Sequence, residues 1–362
     1  MPTYVLSDLH LSERASGRLF DDARQGRALQ RLCARLAEEQ GAELVLLGDT
    51  FDFTGMTAPR HGLDDFARKL GIELTPPPPR STRQLCEAAA CDNPQAVAAL
   101  AQLSQRVPVL IVPGNHDRHL GEADGAEALQ AIGIRASLAN YVQRELAGKT
   151  VVMMHGHTFD SGNAEAGGSG EILTQCLHQA VLPFLKKHGA RRYVKMDPDR
   201  LVALRPEEAI VSVLQRWLTP EDFTRFLRAF MDLLAENRFL PHALAFLARV
   251  VPVDQVRAQV SKADRLWERA GNEGIQCLRG ERDLPFGAPR PDVLVFGHTH
   301  VLDWAPEAGE RLYVNLGTWT DCVADALSPP DLRLPVLELR RASPEVVLRD
   351  LDERGGELQR AF

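Results

Sequence analysis

Six short motifs punctuate this chain of 362 residues, and each follows an apolar, β-rich run. They are Ser7-Asp8-Leu9-His10, Gly48-Asp49-Thr50-Phe51-Asp52, Gly114-Asn115-His116-Asp117, His155-Gly156-His157, Gly297-His298-Thr299-His300 and Asn315-Leu316-Gly317-Thr318. Loops at the carboxyl ends of strands gather on one side of an open α/β sheet. Parallel strands would therefore bring these carboxylates, imidazoles and amides together, although they run from Asp8 to Thr318. Such an inventory suits a hydrolytic site built on two metal ions.

Strands are expected at Thr3–Ser7, Glu43–Leu47, Pro108–Val112, Val151–Met154, Val293–Phe296 and Leu312–Val314, and their nearly continuous hydrophobicity predicts cover on both faces. A helix from about Gln25 to Gln40, stopped at Gly41, separates the first two and sets a layered α/β pattern. Pro335–Arg340 and Glu345–Asp350 alternate and predict a hairpin that closes a second sheet. The four prolines Pro76 to Pro79 predict an extended surface loop within Thr54–Asn93.

From about Gly162 to Gly287 the pattern turns helical. Ile210, Val213, Leu214, Trp217 and Leu218 share one face behind a Pro206-Glu207-Glu208 start. Thr219-Pro220-Glu221-Asp222 reads as a cap with acids at the positive helix end. A stripe of Phe223, Phe226, Leu227, Phe230, Leu233 and Leu234 follows. Another runs over Val256, Val260, Ala263, Leu266 and Trp267 to an expected stop at Gly271. The organisation expected is a core of residues 1–161 and 288–362 with a helical subdomain, 162–287, inserted between the fourth and fifth motifs.

Asp8 and His10 are two apart and point the same way from a strand end, as do His298 and His300. Two divalent ions roughly 3.5–4 Å apart need a shared anionic ligand, and Asp49 is the candidate. Asp8 and Asp49 offset two of the four positive charges. Neutral Asn115 and the imidazoles complete the set without repelling an anionic phosphoryl group. Mixed oxygen and nitrogen donors favour manganese, iron, zinc or nickel over calcium or magnesium.

In this order the motifs D-x-H, G-D-x-x-D, G-N-H-D, H-G-H and G-H-T-H resemble the calcineurin-like metallophosphoesterases, over about residues 1–160 and 288–320. The resemblance implies an α/β sandwich of two mixed β-sheets flanked by helices. It implies one metal ion on Asp8, His10, Asp49 and His300, and another on Asp49, Asn115, His155 and His298, most readily Mn2+. A hydroxide between them would attack phosphorus in line. His116 would be the catalytic acid, oriented by Asp117. Asp52 supports the site or caps a helix, and His157 touches substrate or bonds structurally. The Asn315–Thr318 turn is read as support beside the site.

Within the family, Tyr4–Ser12 and Gly48–Phe53 look most like the UDP-2,3-diacylglucosamine hydrolases, which cleave a nucleotide–lipid pyrophosphate beneath a helical lid. This chain carries His116 where that group has arginine, and its insertion is longer. Lys186, Lys187, Arg191, Arg192 and Lys195, beside Val181, Leu182, Phe184 and Leu185, would grip an anionic headgroup or touch a membrane surface. The alternatives are a general phosphodiesterase or nucleotide phosphatase, a protein phosphatase, or a scaffold of the same fold that has lost its metals.

The net charge of −7 argues against nucleic acid held by bulk electrostatics. Six scattered cysteines without a CxxC pair, and no charged leader or apolar span, set the expectation of a cytoplasmic protein, peripheral at most on the inner membrane surface. Phe223, Phe226 and Phe230 serve a self-contained helical core or a homodimer interface.

Overall fold

The computed structural model of the protein describes residues 2–13, 19–58, 62–75, 77–188, 198–204, 209–237, 266–321, 333–340, 346–351 and 357–361. Strands β1 (Pro2–Leu6), β2 (Glu43–Leu47), β3 (Val109–Val112) and β4 (Ser137–Leu138) pair side by side in parallel. Strands β5 (Val142–Leu146), β6 (Lys149–Met153), β7 (Val293–Phe296), β8 (Leu302–Glu307) and β9 (Arg311–Leu316) make a second sheet in the order β5-β6-β7-β9-β8. Its central strands β6, β7 and β9 are parallel and its edges antiparallel.

Strands β10 (Pro335–Arg340), β11 (Val346–Leu351) and β12 (Glu357–Ala361) complete the chain. The late hairpin was expected to close a second sheet, and that expectation is corrected. It extends the first, because β1 pairs with β2 on one side and leaves its other edge open. Arg340 to Leu337 fill that edge antiparallel to Pro2–Val5, and a paired edge is no longer a template for aggregation.

Side-chain alternation then builds the layers. Val5, Val45, Leu47 and Val112 of the first sheet meet Val151, Met153, Val293, Val295 and Val314 of the second in a shared interior. Helices α1 (Arg27–Glu38), α2 (Leu63–Lys69), α3 (Thr82–Asp92), α4 (Pro94–Leu103) and α5 (Gly125–Ala131) accompany the first sheet. All but α2 cover its outer face, over Tyr4, Leu6, Leu44, Leu46 and Ile111. The result is two mixed sheets flanked by helices, the architecture expected.

The segment between β6 and β7 supplies α6 (Ser169–Cys176), a π-turn at Leu177–Val181, α7 (Leu182–His188), α8 (Ala209–Trp217), α9 (Pro220–Glu236) and α10 (Leu266–Arg279). Thr219 Oγ1 accepts from the Asp222 N–H at 3.0 Å and Pro220 opens α9, as its sequence predicts. Phe223, Phe226, Leu227 and Leu233 are buried against α6, α7 and α8. The same core takes in Leu63, Phe66, Ala67 and Leu70 of α2, where Phe66 meets Phe226 edge-on at 6.2 Å. Helix α10 packs instead on the outer face of the second sheet, with Cys277 and Leu278 over Leu294, Phe296 and Tyr313.

Gly271 does not stop α10, contrary to expectation. The helix runs on to Gly280, whose φ of +77° closes it. The Gly280 N–H bonds to Cys277 O and the Glu281 N–H to Gln276 O, a paired closure that satisfies the last carbonyls. Gly274 lies inside α10 because a Cβ there would come within 2.9–3.0 Å of the Tyr313 and Phe296 rings.

Pro77–Pro79 carry no regular structure, in keeping with an extended loop. Pro76, Pro206–Glu208, Val256, Val260 and Ala263 lie outside the described residues. Cys33, Cys86, Cys91, Cys176 and Cys277 are free thiols. No helix among the described residues is long and apolar enough to cross a membrane.

Candidate metal centre

All six motifs fall at the carboxyl ends of β1, β2, β3, β6, β7 and β9, the central parallel strands of the two sheets. The loops leave the strands abruptly. Asp8 (φ 55°), His10 (φ 51°), Asp49 (φ 48°), His298 (φ 70°) and His300 (φ 58°) all occupy the left-handed region, which costs a non-glycine residue of order 1 kcal/mol or more. Backbone bonds hold them there. The Asp8 N–H donates to Gly48 O at 3.1 Å, His10 N–H to Asp49 O at 2.8 Å and Gly297 N–H to His155 O at 3.0 Å.

Two donor sets emerge. Ligand atoms of Asp8, His10, Asp49 and His300 lie within 4.8 Å of one another, and so do those of Asp49, His155 and His298. Asp49 belongs to both. Its Oδ1 accepts the His116 N–H at 2.8 Å. That leaves Oδ2, 3.1 Å from His155 Nε2 and 3.8 Å from His10 Nε2, as the oxygen facing both sets. Asn115 Oδ1 joins the second set at 3.2 Å from His155 Nε2.

These atoms suit a cation. His155 Nδ1 donates to Leu47 O at 3.0 Å, which makes Nε2 the lone-pair atom, and it faces two oxygens that likewise only accept. Asp8 Oδ2 takes hydrogen bonds from Ser7 Oγ and the His298 N–H. Asp8 Oδ1 is buried with no hydrogen-bond partner, 3.2 Å from His300 Nε2, while His10 Nε2 and His300 Nε2 stand 2.9 Å apart. Acceptors converging on acceptors need positive charge between them. In the bare protein protons supply it. Burial opposes the imidazolium forms, yet Asp52 and Asp8 push His10 up to about 10 and Asp49 and Asp8 push His155 up to about 9. Burial would raise Asp8 and Asp49, but the surrounding histidines hold both well below the usual carboxylate range.

Beside these sets, His116 Nδ1 is 3.0 Å from Asp52 Oδ1 and 3.1 Å from Thr54 Oγ1. This corrects the expectation that Asp117 orients His116. The buried Asp117 carboxylate accepts the Gly114 N–H at 2.6 Å and the Phe51 N–H at 3.1 Å, so it locks two loops together and leaves the ring to Asp52. Burial, reinforced by Asp49, raises Asp117 to about 6. For His116 the opposition of burial is outweighed by Asp52 and Asp49, and its pKa rises.

Asp160 and Asn163, at the entry to the insertion, escaped the sequence reading. His298 Nε2 donates to Asp160 Oδ2 at 3.0 Å, which leaves Nδ1 as the ring's lone-pair atom. Asn163 lies 3.4 Å from the Asn115 amide. Arg118 Nη2 donates to Asn163 O at 3.2 Å. The one clue to Asp160 was its closeness to His157, and an aspartate beside a loop is usually a cap.

His157 has a buried Nδ1 without a hydrogen-bond partner, and it lines a cavity of about 150 Å³ with His155, Arg118, Asn140 and Phe286. Burial, helped by His155 and His298, holds its pKa well below the ordinary imidazole value. The Asn315–Thr318 turn grips the site's backbone. Asn315 Nδ2 donates to Gly297 O at 2.8 Å and Thr318 Oγ1 to Asp8 O at 2.9 Å. Lys186 and Lys187 are exposed on α7, and Lys187 Nζ donates to Gly71 O at 2.8 Å. Arg191, Arg192 and Lys195 lie outside the described residues.

The calcineurin-like phosphoesterase family model matches residues 1–302, and the chain belongs to that family. It is a metal-dependent phosphohydrolase. No curated protein matches it significantly. Among solved structures, the phosphoesterase Yfce from E. coli is 13% identical over 99% of this chain and 98% of its own, with a TM-score of 0.34. A dimetal phosphatase from Danio rerio is 11% identical over 99% and 98%, at 0.35. Zinc-bound Vps29 from Entamoeba histolytica is 12% identical over 100% and 98%, at 0.33. At such scores these likenesses carry no argument about this chain.

Proposed function

We propose that this protein hydrolyses a phosphate ester or pyrophosphate at two divalent cations. One is held by Asp8, His10, Asp49 and His300, the other by Asp49, Asn115, His155 and His298. The observation that carries the reading is Asp49 Oδ2, a single carboxylate oxygen facing a histidine of each set. When bound, the cations supply Lewis acidity and lower the pKa of water toward ~7, and the mixed donor set favours manganese, with iron, zinc or nickel as other occupants.

The chain's own residues do the rest. Asp52 accepts a hydrogen bond from Nδ1–H of His116, which orients the ring and leaves Nε2 to face the reaction. In its protonated form the ring donates from Nε2 to the leaving oxygen and stabilises the charge developing there. Asp160 fixes the ring of His298, and Asp117 fixes the loop carrying Asn115 and His116.

For the substrate we propose a nucleotide–lipid pyrophosphate such as UDP-2,3-diacylglucosamine. The support is the resemblance at Tyr4–Ser12 and Gly48–Phe53, together with an apolar helical insertion between the fourth and fifth motifs. Chelator-stripped protein reloaded with manganese should hydrolyse esters in a panel of mono-, di- and pyrophosphates. Turnover of UDP-2,3-diacylglucosamine to UMP would carry the finer reading. Brisk diester cleavage without it would leave a general phosphodiesterase, and no turnover of any ester at full metal loading would end the proposal.

A further inference from the structure

The helical insertion touches the loop that supports His116. Thr54–Met56 is a single 3₁₀ turn one residue after Asp52, and a short turn leaves its last carbonyls without backbone partners. The Thr54 carbonyl, which also accepts from the Thr57 hydroxyl, and the carbonyls just past the turn are met from α6. Gln175, fully buried, brings its Nε2 within 3.2 Å of Thr54 O, Thr57 Oγ1 and Ala58 O. One helical turn on, Gln179 Nε2 donates to Thr57 O at 3.4 Å. The loop so held carries Thr54, whose N–H caps Asp52 Oδ1 at 3.1 Å and whose hydroxyl lies 3.1 Å from His116 Nδ1. A continuous series of polar contacts thus runs from α6 through the 54–58 loop to the Asp52–His116 pair.

We infer that Gln175 is a positioning residue for proton delivery: from the insertion it fixes Thr54 and Asp52, and through them the His116 ring. The inference rests on the proposed role of His116 as acid. A buried amide in an otherwise apolar helix core is costly unless it is used, and here its donors end on the loop beside the site. The physical consequence is specific. A loop misplaced by a fraction of an ångström harms the step that needs a proton and spares the step that does not.

The test compares two esters in the manganese-loaded full chain: one with an alkyl leaving group, which must be protonated, and one with p-nitrophenol, which departs as the anion. His116→Ala should slow the alkyl ester far more than the aryl one. Gln175→Met, which keeps length and burial but donates nothing, should lower kcat on the alkyl ester about ten- to a hundredfold. Its kcat on the aryl ester should change less than about threefold. In the His116→Ala background it should add nothing. The 15N signal of His116 Nδ1, measured without substrate, should move in Gln175→Met. Should Gln175→Met not fold, Gln175→Asn, which keeps the amide but withdraws it from the loop by one methylene, is read the same way. Equal losses on both esters, an additive effect on His116→Ala, or no loss at all would overturn the inference. If His116→Ala itself shows no preference between the esters, the acid role fails, a different and distinguishable outcome.

Discussion

The strand-end loops and the helical insertion obey different rules. At the loops five non-glycine residues, Asp8, His10, Asp49, His298 and His300, hold left-handed backbone, whereas between Ser169 and Arg279 no described non-glycine residue does. Strain at the loops is tolerated because metal chemistry demands particular atoms at particular places. Away from Gln175 and Gln179, the insertion asks for apolar side chains at helical spacing, a demand that Phe223, Phe226 and Leu233 answer and that other large hydrophobes can also meet. Residues chosen for chemistry resist substitution by even a near-isostere. Residues chosen for pattern do not.

The largest test of that contrast is Asp49→Asn. Asparagine keeps the shape and removes the charge that both donor sets share. Activity should fall at least on the order of a thousandfold, roughly 4 kcal/mol of transition-state stabilisation. Elemental analysis should find one metal ion or fewer. By contrast Phe66→Ala, in the core shared by α2 and the insertion, should cost about 3–5 kcal/mol of stability yet leave metal content intact. If Asp49→Asn keeps both metals, the bridging role is wrong.

Next in size, His116→Ala should reduce turnover of esters with poor leaving groups about a hundred- to ten-thousandfold, with metal content unchanged. Asp160→Asn should then weaken metal affinity about ten- to a hundredfold by freeing the ring of His298. Competition with a chelating dye measures it. An unchanged affinity would mean that Asp160 serves the insertion's entry turn alone.

Legibility divides along the same line. That Asp8, Asp49 and His155 would meet was readable because ligand chemistry restricts residue identity and parallel strands order the motifs. Asp52 as partner of His116, Asp160 and Gln175 were not, since an aspartate after a strand or a glutamine in a helix has many ordinary uses. Only the folded backbone brings Gln175 to Thr54. Helix α2 was lost to a proline-rich stretch, and its membership of the insertion's core depends on contacts more than a hundred positions away, such as Phe66 with Phe226. Gly271 misled because a helical glycine is read as a stop, while here the true closure is Gly280.

Protonation offers a gentler probe. Unfolded imidazoles titrate near 6.5, so raised values of about 10 for His10 and about 9 for His155 stabilise the metal-free fold fully below that pH. The stabilisation is lost as pH climbs through those folded values. Metal-free protein should therefore lose Tm between pH of about 6.5 and about 10. Both rings must be neutral to ligate, so manganese uptake at neutral pH should release protons. Calorimetry in buffers of differing ionisation enthalpy reads that release. Buffer-independent enthalpies would argue that these rings hold no metal.

The smallest expected effect is at Lys187. As a grip on an anionic headgroup its loss should raise KM more than about tenfold, the reach of one charge-assisted bond. The structure gives its ammonium another task. It donates to Gly71 O at 2.8 Å and ties α7 to the turn after α2. An exposed tie of this kind is worth less than about 1 kcal/mol. Lys187→Ala should then change kcat/KM less than about twofold, with a Tm loss of a few degrees at most. A large KM effect would move substrate recognition onto the insertion surface, beyond the buried Gln175.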